Sequence, residues 1–228
     1  MKKISAGSYD LNKWLNGGYE NDIVSVLYGA AGTGKTNLCV LAAVACAKNG
    51  GKVIFIDTEG GFSVERVKQI VPGNYEETLG NIFLLKPTSF KEQKDAFVEL
   101  QKRLKGHVDL IVVDGMTILY RLDFADAREK DDGTVQNINA DLARQMKLLA
   151  EIARKKNIPV LVTNQVYCWE NETKMVGGDI LKYWGKCLIE LTNDKGRREI
   201  FLRKHRSIEE KSFCFQIYDL GIRKRGWI

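Results

Sequence analysis

Proline is scarce in this chain: three among 228 residues, scattered at Pro72, Pro87 and Pro159. That excludes a proline-rich linker or a polyproline recognition tail. Histidine is scarcer still at two, and neither adjoins any of the five cysteines, Cys39, Cys46, Cys168, Cys187 and Cys214. With an odd cysteine count and no C-x-x-C pair, neither a disulfide framework nor a zinc site is encoded. The thiols read as buried side chains in a reducing compartment. Long apolar runs are missing too. The most apolar one, Leu38 to Ala47, is about half the length a bilayer span requires, so it reads as a core helix. The basic start Met1-Lys2-Lys3-Ile4-Ser5 runs into Ala6-Gly7-Ser8-Tyr9-Asp10, where a signal peptide would carry its apolar segment. The expected location is cytoplasmic.

Charge of one sign is lacking over most of the chain. Residues 1 to 194 carry 25 Lys/Arg against 25 Asp/Glu, whereas residues 195 to 228 carry ten against four, so the whole net charge of +6 sits at the C-terminal end. Such a patch suits a polyanion such as nucleic acid, and a lysine-rich solvated sheet edge gives the same signature.

What is present is alternation. Short β-branched runs at Ile23 to Tyr28, Val53 to Asp57, Ile82 to Leu85, Leu110 to Asp114 and Val160 to Thr163 predict strands. Between them, Thr36 to Lys48, Ser63 to Val71, Phe90 to Lys105 and Ile138 to Lys156 predict helices; in the last, Leu142, Met146, Leu149 and Ile152 keep nearly a 3.6 period. After Gly178 the period becomes two. Leu188 to Thr192 and Glu199 to Arg203 predict a hairpin across Asn193-Asp194-Lys195-Gly196, and Phe213 to Tyr218 predicts a third strand. The expectation is one α/β domain over residues 1 to 228, with a mostly parallel sheet flanked by helices and an antiparallel C-terminal extension.

Gly29-Ala30-Ala31-Gly32-Thr33-Gly34-Lys35-Thr36 matches G-x-x-x-x-G-K-[ST] and lies between an apolar strand and an apolar helix. In such a loop the glycines let backbone N–H groups curl around phosphate oxygens and the helix N-terminus adds positive potential. Lys35 then reaches the β and γ phosphates, and Thr36 ligates magnesium. The expected cofactors are ATP and Mg2+. Three further residues stand just past strand ends, where α/β sheets place their ligands. Asp114 ends Leu110-Ile111-Val112-Val113 and is expected to hold magnesium through water; a helix N-cap is the structural alternative. Glu59 follows Phe55-Ile56-Asp57-Thr58 and fits a base that deprotonates the attacking water. Gln165 follows Val160-Leu161-Val162-Thr163-Asn164 and fits a neutral donor sensing the γ phosphate. Alone, either is as readily a surface residue.

Together with Ile4-Ser5-Ala6-Gly7-Ser8, Leu11 to Gly18, Leu119-Tyr120-Arg121 and Ala143-Arg144-Gln145-Met146, two blocks stand out: Ile56-Asp57-Thr58-Glu59-Gly60-Gly61-Phe62 and Thr163-Asn164-Gln165-Val166. On these the chain resembles the RecA/RadA recombinase superfamily from about Ile4 to Asp219, and most closely its short archaeal paralogues. The resemblance implies a RecA-type P-loop ATPase core with Glu59 as catalytic glutamate, Gln165 as nucleotide sensor and Arg66 as an adenine contact. It likens Lys204-His205-Arg206 to a basic finger reaching a neighbouring subunit's ATP, hence a dimer or higher homo-oligomer.

By the same resemblance the partners are single-stranded or branched DNA, RadA recombinase and a junction-processing nuclease. Two features depart from a strand-exchange enzyme. Only 28 residues precede Gly29, too few for the family's helical N-terminal DNA-binding domain. The segments corresponding to the DNA-binding loops are acidic: residues 121 to 137 hold Asp123, Asp126, Glu129, Asp131 and Asp132 against Arg121, Arg128 and Lys130. Residues 166 to 178 hold Glu170 and Glu172 against Lys174, with Tyr167 and Trp169 as stacking candidates. The expected function is an ATP-binding accessory protein of DNA repair and homologous recombination, with weak ATPase activity and no strand exchange of its own. An active recombinase and a KaiC-like signalling ATPase are the alternatives.

Overall fold

A computed structural model describes residues 2–128, 132–170 and 172–226. The chain opens with β1 (Lys3–Ile4), α1 (Tyr9–Trp14) and β2 (Tyr19–Glu20). It then alternates through β3 (Val24–Gly29), α2 (Lys35–Ala47), β4 (Val53–Asp57), α3 (Val64–Ile70), α4 (Tyr75–Gly80), β5 (Ile82–Leu85) and α5 (Phe90–Arg103). Next come β6 (Leu110–Asp114), α6 (Ile118–Arg128), α7 (Asp132–Lys156) and β7 (Val160–Asn164). A short hairpin of β8 (Val166–Trp169) and β9 (Glu172–Met175) follows, then α8 (Asp179–Trp184). The chain ends in β10 (Gly185–Asp194), β11 (Arg197–Lys204), β12 (Lys211–Tyr218) and β13 (Gly221–Lys224).

One nine-stranded sheet organises these elements in the order β13-β12-β11-β10-β3-β7-β6-β4-β5. From β5 to β10 all pairings are parallel, and β10 to β13 pair antiparallel. The antiparallel extension therefore joins the parallel core through β10 alongside β3, a pairing that period-2 reading alone does not reveal. Parallel strands buried on both faces must be apolar at nearly every position, and their side chains alternate between the two faces. Phe55, Leu110, Val112 and Leu161 join the core beneath α1 and α2, while Ile54, Ile56, Ile111, Val113 and Val162 join the one beneath α5 to α8. Helix α2 is apolar nearly all round because it is buried nearly all round: every residue from Leu38 to Val44 is inaccessible or almost so.

The five predicted parallel strands lie within one residue of their expected bounds. Leu142, Met146, Leu149 and Ile152 form the buried stripe of α7, but that helix starts at Asp132 rather than Ile138. The expected loop over residues 121 to 137 is largely helical, since α6 runs to Arg128 before α7 begins. Glu129, Lys130 and Asp131 lie outside the described residues, as do the side chains of Asp132, Cys168, Trp169 and Glu172. Among the described residues, no helix is long and apolar enough to cross a membrane.

Candidate nucleotide site

The loop after β3 is shaped by backbone that only glycine adopts readily. Gly29, Gly32 and Gly34 have φ of 155°, 74° and 109°. Gly29 also passes so close to β10 that a Cβ there would stand 2.1 Å from the Leu191 carbonyl oxygen. Thr33 Oγ1 donates to the Ala30 carbonyl at 2.9 Å and closes the turn. Lys35, at the first position of α2, is only 6% exposed and folds back over the loop; its ammonium donates to the carbonyls of Gly29 at 2.9 Å and Ala30 at 2.8 Å. Burial lowers its pKa, while Glu59 and Asp114 act in the opposite direction.

A cleft of about 330 Å3 opens over this loop, lined by Ala31, Gly34, Thr36, Glu59, Gly61 and Arg66 among others. Asp114 lies just behind the lining residues Thr36 and Gly61. It is fully buried; Oδ1 accepts a 2.7 Å hydrogen bond from Thr163 Oγ1, and among the described residues Oδ2 has no hydrogen-bond partner. Burial pushes its pKa up to about 6, against the pull of the Thr163 and Thr36 hydroxyls. A Cβ built on Gly61 would stand 2.9 Å from Thr36 Cγ2, 3.3 Å from Thr36 Oγ1 and 3.5 Å from Asp114 Oδ2. A hydroxyl and a buried carboxylate oxygen thus share a small space that glycine leaves open. An oxygen-seeking divalent cation such as magnesium fits that donor set, through Thr36 directly and Asp114 directly or through water.

Glu59 is exposed at the rim and Gln165 is half-buried beside it, and Gln165 Nε2 donates to Glu59 Oε1 at 3.2 Å. Each has its own support. Asp57, 1% exposed, accepts from the amides of Gly61 at 3.1 Å and Phe62 at 2.9 Å, which fixes the loop carrying Glu59. Thr58 Oγ1 donates to the Gly115 carbonyl at 2.6 Å. Gly115 has φ 89°, and a Cβ there would come within 2.6 Å of Glu59 Cγ. On the other side the Gln165 carbonyl accepts from Val176 N at 3.1 Å, closing the base of the β8–β9 hairpin. Asn164 hydrogen-bonds Thr117 and donates to the Val176 carbonyl at 2.9 Å.

Arg66 lines the cleft, but its guanidinium is already engaged. Nε donates to Asn37 Oδ1 at 2.8 Å, and the Nη groups donate to the carbonyls of Tyr218 at 2.9 Å and Asp219 at 3.0 Å. It ties α3 to the β12–β13 turn, and a base would meet its edge rather than a free side chain. Lys204, His205 and Arg206 stand elsewhere. β10 runs parallel to β3, so the loop lies beside its far end, near Leu191, whereas Lys204 Nζ bonds the Gly185 carbonyl at its near end at 3.0 Å. Arg206 holds Glu20 at 2.7 Å and Asp22 at 2.6 Å, and the buried His205 ring lies 3.8 Å from Glu20. His205 and Arg206 are folded onto the N-terminal segment at Glu20 and Asp22, and Lys204 onto the α8–β10 junction, at the end of the strands opposite the loop.

Sequence reasoning missed the supports. Gly115 and Asn37 lie in no motif, and Asp57 and Thr163 lie in the two conspicuous blocks without a role that spacing alone assigns. The signal available was the recurrence of a polar residue at the end of three central parallel strands, at Asp57, Asp114 and Thr163-Asn164.

A model of the Rad51 family matches residues 1–225. The chain belongs to that family. Its relatives place it in the RadB branch. It is 38% identical over 213 residues to the DNA repair and recombination protein RadB of Methanococcus maripaludis, covering 93% of this chain and 96% of the relative. Against RadB of Methanocaldococcus jannaschii it is 38% identical over 212 residues, or 93% and 98% of the two chains. A solved structure described as the RadB recombinase superposes with a TM-score of 0.78 at 36% identity, covering 96% of this chain and 98% of that one. The fold is accordingly RecA-like, with the mostly parallel sheet and antiparallel C-terminal strands that the sequence predicts.

Proposed function

We propose that this RadB-branch protein binds ATP with Mg2+, hydrolyses it slowly, binds DNA, and serves DNA repair and homologous recombination as an accessory to RadA or to branched-DNA processing without exchanging strands itself. The observation that carries the nucleotide half is the hydrogen bond between Gln165 and Glu59, over a phosphate loop with a buried, half-satisfied Asp114 beneath it. The names of its relatives, DNA repair and recombination proteins, support the DNA half. So does the basic surface in residues 195 to 225.

In this reading the loop amides hold the β and γ phosphates, and Lys35 exchanges its two carbonyl partners for phosphate oxygens. Thr36 and Asp114 would hold magnesium, which would supply charge neutralisation on the phosphates. Glu59 accepts the proton of the attacking water. Gln165 holds Glu59 until the γ phosphate competes for its amide, and thereby reports occupancy to the β8–β9 hairpin.

Against strand exchange stands the character of the segments where a recombinase would track DNA. One is a helix in which Asp123 and Asp126 offset exposed Arg121 and Arg128, leaving no net positive charge; the other is a hairpin with exposed Glu170 at its tip. A backbone-tracking groove needs positive charge. The test is ATP hydrolysis with and without single-stranded and branched DNA, alongside a strand-exchange assay. Slow turnover with DNA binding and no exchange is expected; robust strand exchange overturns the accessory role. Closed rings with ATP and no salt-sensitive DNA affinity would favour a signalling ATPase.

A further inference from the structure

The antiparallel end of the sheet carries one row of side chains to the level of the phosphate loop. Gly29 pairs with Leu191 of β10; one same-face step further on, Asn193 of β10, Arg198 of β11 and Phe215 of β12 stand directly opposite one another. Residues so paired share a face, with neighbouring Cβ atoms about 5 Å apart. The face is the inner one, since Leu191, Ile200 and Phe213 of the row before, and Phe215 itself, belong to the core under α1 and α2. Both neighbours of Arg198 reach the loop. Asn193 Nδ2 donates to the Gly32 carbonyl at 3.5 Å, and the rim of the Phe215 ring stands 3.7 Å from where a Cβ on Gly34 would lie. The side chain between those two contacts is an arginine.

The other arginines of β11 face carboxylates: Arg203 holds Glu190 at 2.6 Å, and Arg197 stands opposite Asp194. Arg198 instead stands between an amide and a phenyl ring. Glu199, next in sequence, points to the opposite face, where it accepts from Ser212 Oγ at 2.8 Å. Arg198 is half-buried, and among the described residues its guanidinium makes no ion pair. Its Nε is shielded from solvent and has no hydrogen-bond partner there. A shielded N–H of a cation is costly until an acceptor meets it, and the guanidinium fork matches the oxygens of a phosphate. In the function proposed above, the loop beside it holds such an acceptor.

Resting on the ATP-binding reading, we propose that Arg198 is a second cation for the phosphates of the bound nucleotide, acting on its own chain's site. The guanidinium donates to phosphate oxygens from the β10–β11 side of the loop, while Lys35 donates from within it. The site then draws on a cation that needs no neighbouring subunit, whereas Lys204, His205 and Arg206 lie at the other end of the strands.

The experiment is calorimetry of the full chain with Mg2+ and a non-hydrolysable ATP analogue, for wild type, Arg198→Gln and Arg198→Lys, beside thermal melts of the nucleotide-free proteins. Arg198→Gln should weaken the analogue about tenfold or more while melting no lower than wild type. Arg198→Lys keeps the charge without the fork and should recover part of that loss. The loss should be the same at every protein concentration. If wild type takes up no analogue, the ATP reading fails and the role of Arg198 with it. If wild type binds the analogue and Arg198→Gln binds it equally well, the role of Arg198 alone is overturned. A loss that lysine does not reduce, or one accompanied by a lowered melting point, makes the arginine structural and overturns the phosphate contact. A loss confined to concentrations at which copies associate assigns it to a neighbouring chain's phosphates and overturns its action on its own site.

Discussion

Gln165 and Glu59, 106 residues apart in sequence, meet over the phosphate loop with Gln165 Nε2 donating to Glu59 Oε1 at 3.2 Å. The bond holds the carboxylate that would act as base, and the donor is the residue best placed to feel a γ phosphate. Gln165→Ala should therefore lower the hydrolysis rate while leaving ATP affinity within about twofold, and Gln165→Glu should do worse by setting two carboxylates together. Steady-state turnover and calorimetry of both variants check this.

Lys35 donates to two loop carbonyls, those of Gly29 and Ala30. Lys35→Ala should cost ATP affinity on the order of a hundredfold, because both the charge and its transfer to phosphate are lost. Unchanged affinity in calorimetry would remove the loop from the account.

The open space before Gly61 is where Thr36 and Asp114 oxygens converge. Gly61→Ala should fill it, at a backbone conformation that alanine tolerates, and so weaken Mg2+-dependent ATP binding while the fold melts normally. Magnesium titration monitored by nucleotide fluorescence reads the effect.

Asp114 carries a pH prediction. Its pKa rises from an ordinary 3.8 to about 6 in the fold, chiefly by burial. Between those values the metal-free folded state holds more protons than the unfolded chain. Its contribution to stability is therefore greatest at low pH and is lost as pH rises from about 4 to about 6. Asp114→Asn lacks that titration. It should be more stable than metal-free wild type by roughly 2–3 kcal/mol at pH 7 and lose the advantage near pH 4. Thermal melts across this range give the difference; a difference flat in pH contradicts it.

Arg206 sits on Glu20, whose side chain is 1% exposed. Arg206→Ala should strip a buried carboxylate of its main partner and destabilise the chain by about 1–3 kcal/mol, with ATP affinity unchanged. An unaltered melting point with slowed turnover would instead mean that the segment serves a neighbouring subunit's ATP.

The parts of this molecule that were legible in the sequence are those with a short-range cause. Parallel strands such as Val53–Asp57 and Leu110–Asp114 announce themselves as apolar runs because both faces are buried. The loop at Gly29 to Thr36 does so because phosphate geometry dictates residue type and spacing. Helices α1, α4 and α8, of six residues each, were not legible, being too short to show a period. Nor was the meeting of Asn193 with Gly32, or the engagement of Arg66 by the Tyr218 and Asp219 carbonyls, since each depends on β10 docking beside β3. The acidic segment after Leu119 does not show itself as a helix because its charges mask an apolar stripe; Leu119 and Tyr120 are buried against the helices beside it, and Ala127 is buried too.

The most direct test of the account is single-turnover hydrolysis by Glu59→Gln measured beside its ATP affinity. Glutamine keeps the size of the side chain and its bond to Gln165 while removing the base. The account predicts affinity within about twofold of wild type and hydrolysis slowed on the order of a hundredfold. Unaltered hydrolysis with intact binding would contradict it.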